Sequence, residues 1–305
     1  MDLPPGSRAS DSALESIVDA HHHLIAGGIS RYPWLRDFES DGGQGEIRNF
    51  PTRYLYDDYV RDFANLPLVK SVHVQAEWDP SDPVGETRWL QGVADRHGLP
   101  SAIVAYADLA APRVAATLEA HREFPLVRGI RQLVTWHEGG RRSAVPHPHL
   151  LLDDAWQRGY SLCARHGFSF DLQCYPEQMD EAVEVARAFP DIQLIVDHCG
   201  MPGDDADAWL RAIRSLASAE NVAVKLSGFA MANPNWTQES IRQYVRTLIE
   251  TFGIERCMFA SNFPFDRMHA SADDLFAAYE AAVSDLSDDE RRDLFSANAI
   301  RVYRL

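Results

Sequence analysis

The feature that most constrains the fold is a rhythm. Eight short apolar runs, at 17–23, 68–76, 102–107, 127–134, 168–174, 192–196, 222–226 and 257–260, are each followed by a stretch with helical spacing. Punctuation marks the helices. Asp82-Pro83 opens one over 83–97, and further helices are predicted from Pro112 to 124 and over 153–166, 176–189, 204–217 and 237–252. Gly98, Gly167 and Gly253 supply stops. Ser271-x-x-Asp274 and Ser287-x-x-Glu290 have the form of capping boxes for two more helices. Strands alternating with helices predict a parallel sheet. Nearly unbroken apolar strands predict a sheet covered on both faces. Eight units fit a single TIM (β/α)8 barrel over 17–305 better than an open doubly wound sheet, and no Gly-x-Gly-x-x-Gly follows the first run. The 305 residues leave room for a long loop at 24–52 after strand one and for extra C-terminal helices. That loop holds Tyr32-Pro33-Trp34-Leu35 and a Gly-rich patch at 41–45, and reads as a lid or wall, or as a surface loop anchored by Trp34.

The first 16 residues, with Pro4-Pro5-Gly6, read as a flexible leader without the apolar segment of a signal peptide. No apolar run is long enough to span a bilayer. Cys163, Cys174, Cys199 and Cys257 are widely spaced in apolar contexts, as expected of structural thiols in a reducing cytoplasm. Forty-five acidic against 29 basic residues give a net charge of −16, which argues against nucleic acid and anionic membranes as partners. A small-molecule substrate is expected, and self-association is left open.

The first run, Ile17-Val18-Asp19-Ala20-His21-His22-His23, ends in an acid and three histidines. Alternation puts Asp19, His21 and His23 on one face and turns His22 to the other. An apolar strand leading into the histidines distinguishes them from a tag remnant. In a barrel the site forms at the C-terminal strand ends. These ends supply His21 and His23; Gln75, Glu77 and Trp78; Arg131 and Gln132; Gln173 and Tyr175; Asp197 and His198; Lys225 and Ser227; and Asn262, with Asp266 four residues on. Each has a plainer alternative. His198 ends an apolar strand, as a satisfied core histidine does. Arg131 suits a substrate carboxylate or a structural pairing with Asp171. Lys225 reads as one partner of a salt bridge at the barrel mouth. Gln75, Trp78, Gln173 and Tyr175 are candidate substrate contacts, and the two aromatics fit a pocket wall equally. Asp266 is a candidate base, or a partner of Arg267 or a cap. His73, His97, His121, His137, His147 and His149 lack strand-end positions and receive no role.

Asp19-x-His21-x-His23, Asp197-His198-Cys199-Gly200 and Ser261-Asn262-Phe263-Pro264 resemble the amidohydrolase superfamily, and within it the amidohydrolase-related branch that includes sugar lactonases and 2-pyrone-4,6-dicarboxylate lactonase. Tyr32-Pro33-Trp34-Leu35, residues 74–78 and the closing Asn298-Ala299-x-Arg301-x-Tyr303 extend the likeness. The resemblance implies that His21 and His23 bind a metal or stabilise an electrophile, and that His198 contacts substrate or water. Its strand-eight aspartate is replaced here by Asn262, which has no basic site at neutral pH. Proton abstraction then falls to Asp266 or His198, or a metal lessens the need for a base. The strand-five histidine and strand-four lysine of metal-rich members are also missing. At most one divalent metal is expected, zinc fitting such a site best, with a metal-free mechanism as the alternative. The leading reading is hydrolysis of a small lactone or cyclic ester. A decarboxylase or hydratase of a small carboxylic acid and a non-catalytic ligand-binding barrel are the alternatives.

Overall fold

The computed structural model describes residues 14–28, 30–36, 50–138, 143–203 and 205–305. Residues 1–13 of the expected leader and the Gly-rich patch at 41–45 lie outside them. Eight strands, β1 (Ile17–His22), β2 (Leu68–Val74), β3 (Ala102–Tyr106), β4 (Val127–Arg131), β5 (Ser169–Leu172), β6 (Leu194–Val196), β7 (Val222–Leu226) and β8 (Cys257–Phe259), form one sheet in sequential order. Every ladder is parallel. The principal intervening helices are α1 (Tyr56–Asp62), α2 (Gly85–His97), α3 (Val114–Arg122), α4 (Asp154–His166), α5 (Met179–Ala188), α6 (Ala206–Ala217), α7 (Phe229–Ala232) and α8 (Gln238–Phe252). After β8 come α9 (Ala272–Ala282), α10 (Asp288–Arg292) and α11 (Asn298–Tyr303). This is the expected barrel with its C-terminal helices. Among the described residues no helix is long and apolar enough to cross a membrane.

Local chemistry explains where elements begin. Asp153 caps α4 by accepting from the amides of Ala155 and Trp156, and Gly167 ends it in a left-handed conformation. Ser271 and Ser287 cap α9 and α10 as their spacing predicts. Several starts fall two or three residues later than expected. Asp82-Pro83 makes a turn closed by Gly85 N–H to Asp82 C=O at 2.9 Å, so α2 begins at Gly85. Pro176 opens a 3-10 turn before α5 starts at Met179. Several strands stop short of their apolar runs. β4 ends at Arg131, three residues before the end of its apolar run.

The barrel closes above β8 rather than along it. His23 N–H donates to Phe263 C=O at 2.7 Å and Asn262 N–H donates to His21 C=O at 2.8 Å. Beneath this seam the buried Asp19 carboxylate accepts from Ser261 Oγ at 2.6 Å, Ser261 N at 2.8 Å and Tyr59 Oη at 2.9 Å. Burial outweighs these bonds and raises its pKa to about 6. At the opposite end α11 plugs the bore. Ala299, Val302 and Tyr303 pack with Val18, Val72, Ala102, Ile195 and Met258 in an interior cluster separate from the helix–sheet core.

Asp19 therefore carries the seam. Asp19→Ala removes the acceptor of four buried donors, the His21 amide included, at about 1–3 kcal/mol for each left unsatisfied, so a loss of at least ~3 kcal/mol in denaturant unfolding is expected, with Asp19→Asn intermediate. An unchanged midpoint for Asp19→Ala would show that the backbone bonds alone close the barrel.

Candidate active site

The C-terminal strand ends are where the backbone is strained. Glu77, His198, Cys199, Met201 and Asn262 all have positive φ, between +49° and +58°. Such conformations cost side-chain-bearing residues roughly 1–3 kcal/mol and concentrate at functional sites. Gly228 is shaped by the same crowding. Its φ is +69°, and a Cβ there would lie 2.6 Å from that of His198.

A cavity of about 1380 Å³ opens at this end, lined by His23, Trp34, Glu77, Arg131, Thr135, His137, Gln173, Tyr175, Glu177, His198, Asp205, Met231, Asn262, Phe265 and Asp266 among others. His21 lies beneath this lining. Its Nε2 is 3.1 Å from His23 Nε2, and its Nδ1 lies 3.1 Å from Lys225 Nζ and 3.3 Å from Asp197 Oδ1. His23 Nδ1 donates to Val74 C=O at 2.7 Å, leaving its Nε2 as an acceptor. The His198 ring centroid is 4.5 Å from that of His21, and its Nδ1 is 3.1 Å from Ser227 Oγ. Burial drives all three pKa values down, that of His198 to about 4, and the Lys225 charge adds to the effect at His21. The imidazoles are therefore neutral near pH 7. His22 turns away, stacking on Tyr59 at 4.1 Å and bonding Ser71 at 3.0 Å.

Under the imidazoles lies a buried charge cluster. Lys225 Nζ is 2.5 Å from Asp171 Oδ2 and 3.0 Å from Asp197 Oδ1. Arg131 Nη1 bonds Gln173 Oε1 at 3.2 Å and Asp197 Oδ2 at 3.4 Å, while Nη2 donates to the Gln75 carbonyl. Two cations and two carboxylates make the cluster neutral, which burial demands. Asp171 pairs with Lys225 and with Tyr303 Oη, 2.8 Å away, so Arg131 takes Asp197 as its partner.

Asn262 Nδ2 donates to Asp266 Oδ1 at 3.1 Å. Asp266 is fully buried against the cavity, and its Oδ2 makes no hydrogen bond. Burial raises its pKa to about 7, the Asn262 bond and the Gly228 and Ala230 amides opposing this only in part. Arg267 does not pair with it, because its Nε bonds Asp62 Oδ2 at 2.5 Å on the outer side.

Most of the strand-end residues singled out in the sequence thus meet here. Arg131, Gln173, Tyr175, His23, His198, Asn262 and Asp266 line one cavity, with His21 just beneath. Gln75 and Trp78 do not line it. Gln75 folds back to Glu77, its Oε1 accepting from the Glu77 amide at 2.6 Å. The left-handed turn at Glu77 carries Trp78 outward onto Tyr32 and Trp89. From the long loop, Trp34 is a cavity wall whose Nε1 bonds the Ala76 carbonyl at 2.8 Å. His137 and Asp205 from loops, and Glu177 from the 3-10 turn after β5, also line the cavity, where no periodicity announces a facing.

The amidohydrolase family profile matches residues 18–305. The y4mH protein of Sinorhizobium fredii is 43% identical over 293 residues, covering 95% of this chain and 99% of its own. An L-fucono-1,5-lactonase of Burkholderia multivorans is 28% identical over 307 residues, covering 94% of this chain and 96% of its own. The crystal structure of a Burkholderia multivorans amidohydrolase with bound zinc superposes with a TM-score of 0.78 at 24% identity, covering 95% and 99% of the two chains.

Crowding at Gly228 is directly testable. Gly228→Ala should lower stability by about 1–3 kcal/mol and shift the NMR signals of the His198 ring, because backbone strain and a clash combine. Gly98→Ala, at a φ of +83° with nothing within 4 Å, should show only the strain, ~1 kcal/mol, and leave His198 unmoved. An unshifted His198 in Gly228→Ala would mean that Gly228 does not set its position.

Proposed function

The chain belongs to the amidohydrolase family, and from that premise we propose that it hydrolyses a small lactone, with Asp266 as general base. The observation that carries this reading is the buried Asp266 carboxylate on the cavity wall, unpaired with any cation and with its pKa raised to about 7. A base works best when its pKa lies near the working pH. His198, at about 4, is too weak a base but a suitable neutral hydrogen-bond donor. Ser227 donating to Nδ1 leaves the His198 Nε2–H free for an oxyanion. Water attacks the lactone carbonyl carbon as Asp266 takes its proton. The ring C–O bond then breaks, and Asp266 passes that proton to the leaving alkoxide as the hydroxy acid forms. Asn262 holds Asp266 in place through its amide.

Cavity charge narrows the substrate. Glu77, Glu177, Asp205 and Asp266 line it against Arg131. Arg131 spends one N–H each on Gln173, Asp197 and Gln75, and its Nε, although unpaired, is closed off from solvent, so its side-on fork is not open to a carboxylate in the cavity. A neutral polyhydroxylated lactone fits better than a dicarboxylate, in line with the L-fucono-1,5-lactonase relative. Four buried, unpaired thiols support a reducing compartment such as the cytoplasm.

The donor set fits one divalent ion. Two neutral imidazole Nε2 atoms stand 3.1 Å apart at His21 and His23, and ligand atoms of His21, Asp197 and His198 lie within 4.8 Å of one another. His21 and His23 would hold the ion; the grouping of His21 with Asp197 and His198 shares only His21 with that pair. Zinc is the choice that the related structure supports. When bound, it supplies Lewis acidity beside the carbonyl.

A panel of sugar 1,5- and 1,4-lactones with 2-pyrone-4,6-dicarboxylate, read with a pH-indicator dye, tests the reading. Turnover of neutral lactones is expected; turnover of the dicarboxylate alone would reverse the charge argument. Asp266→Asn should lower kcat by about 10²-fold or more. The base acts deprotonated, so wild-type kcat/KM should rise through pH ~7 and level off above it. A flat profile from pH 5 to 9 would remove Asp266 from the role. The stability linkage has the opposite sense. The neutral buried acid contributes fully below the ordinary value of 3.8, and that contribution is lost as pH rises through about 7. His23→Ala should abolish zinc retention in elemental analysis after dialysis, and retention unchanged would move the ion elsewhere.

A further inference from the structure

Lys225 is fully buried, and the hydrolytic steps above do not use it. We propose that Lys225 is a positioning residue that fixes the hydrogen positions of the His21–His23 pair and thereby opposes the binding of a divalent cation there. The second half rests on the reading that this pair holds the ion; the first half does not.

The partners of each ring nitrogen fix where the hydrogens lie. His23 Nδ1 faces the Val74 carbonyl at 2.7 Å, and a carbonyl only accepts, so the His23 hydrogen is on Nδ1 and its Nε2 carries a lone pair. That Nε2 lies 3.1 Å from His21 Nε2. Two lone pairs at this distance repel unless a hydrogen or a cation lies between them. With no cation, His21 must carry its hydrogen on Nε2, and its Nδ1 must be an acceptor. Lys225 Nζ, a donor only, is 3.1 Å from that Nδ1. The result is one directed chain, from the Lys225 ammonium through His21 and His23 to the Val74 carbonyl, in which every ring nitrogen is satisfied.

A divalent ion shared by the pair needs both Nε2 lone pairs. The His21 hydrogen must then move to Nδ1, where Asp197 Oδ1 at 3.3 Å accepts it and Lys225 loses its acceptor. Charge acts in the same direction. The cluster of Lys225, Arg131, Asp171 and Asp197 is already neutral, so a divalent ion would leave two uncompensated charges in a buried place. Lys225 therefore holds the pair in its ion-free form twice over, by hydrogen bond and by repulsion.

The test uses the full-length protein in two measurements. The first is the 15N chemical shift of the imidazole nitrogens in metal-free wild type, with His21→Gln used to assign them. His21 should be the Nε2–H tautomer and His23 the Nδ1–H tautomer; an Nδ1–H tautomer at His21 overturns the proposal. The second is zinc affinity, from competition with a chelating dye. Lys225→Met removes the donor but leaves two acids facing one cation. Lys225→Met/Asp171→Asn keeps the cluster neutral and guards against a variant that does not fold. Zinc affinity should tighten about 10-fold or more in either variant, the size of effect that partners of a metal-binding histidine exert. Unchanged or weakened affinity with normal wild-type binding overturns the opposition to the ion. If neither wild type nor variant binds zinc at this pair, the metal reading and the opposition fall together. The tautomer measurement still decides the positioning role.

Discussion

The rest of the site depends on one constraint, that charge buried in a barrel bore must sum to zero. Asp171 on β5 and Asp197, just past the end of β6, point into the same interior, and alone they would repel in a medium that screens poorly. Lys225 on β7 lies between them, and Arg131 on β4 completes the balance from the other side. Four adjacent strands are thus held in register by charge as well as by their ladders. The imidazoles of β1 stand on this floor, and their neutrality follows from burial beside two cations. The same constraint explains why Arg131, although it faces the cavity, is largely spent on the protein itself.

The rim is governed by a different balance. Five residues with left-handed backbone stand at the rim, each unfavourable in isolation. Among them Asn262 is held by contacts that cross the barrel seam. Asn262 is fixed by its amide to His21 and by Asp19 beneath Ser261, and Asp266 follows through a turn whose amide returns to the Asn262 carbonyl at 3.2 Å. Arg267, one residue on, is tied outward to α1 through Asp62. Consecutive residues are thus pulled in opposite directions, so Asp266 stays inside although it is charged at high pH and its neighbour is cationic.

The barrel was legible because apolar periodicity and helix punctuation report burial and capping, both set by local sequence. The rule that sites gather at C-terminal strand ends found His21, His23, His198, Asn262 and the acid after it. It did not place Gln75 and Trp78, because the left-handed turn at Glu77 breaks the alternation that assigns facing. Nor could it choose a partner for Arg131. Asp171 and Asp197 lie on neighbouring strands, and the decision was made by Lys225 from a third strand and Tyr303 from the last helix. His137 and Asp205 reach the cavity from loops, where spacing carries no directional information. What the sequence withheld was in each case a contact between elements distant along the chain.

The plug formed by α11 has a consequence for synthesis. Ala299, Val302 and Tyr303 fill the lower bore, and the Tyr303 hydroxyl reaches Asp171 under the charge cluster. As the chain emerges from the ribosome, all eight strands are available before these residues are. Until they arrive, the inner faces of the strands lack the side chains that fill the lower bore, and Asp171 lacks its second donor. The interior is therefore completed by a residue 132 positions beyond Asp171, and no shorter N-terminal stretch of the barrel carries its finished charge cluster.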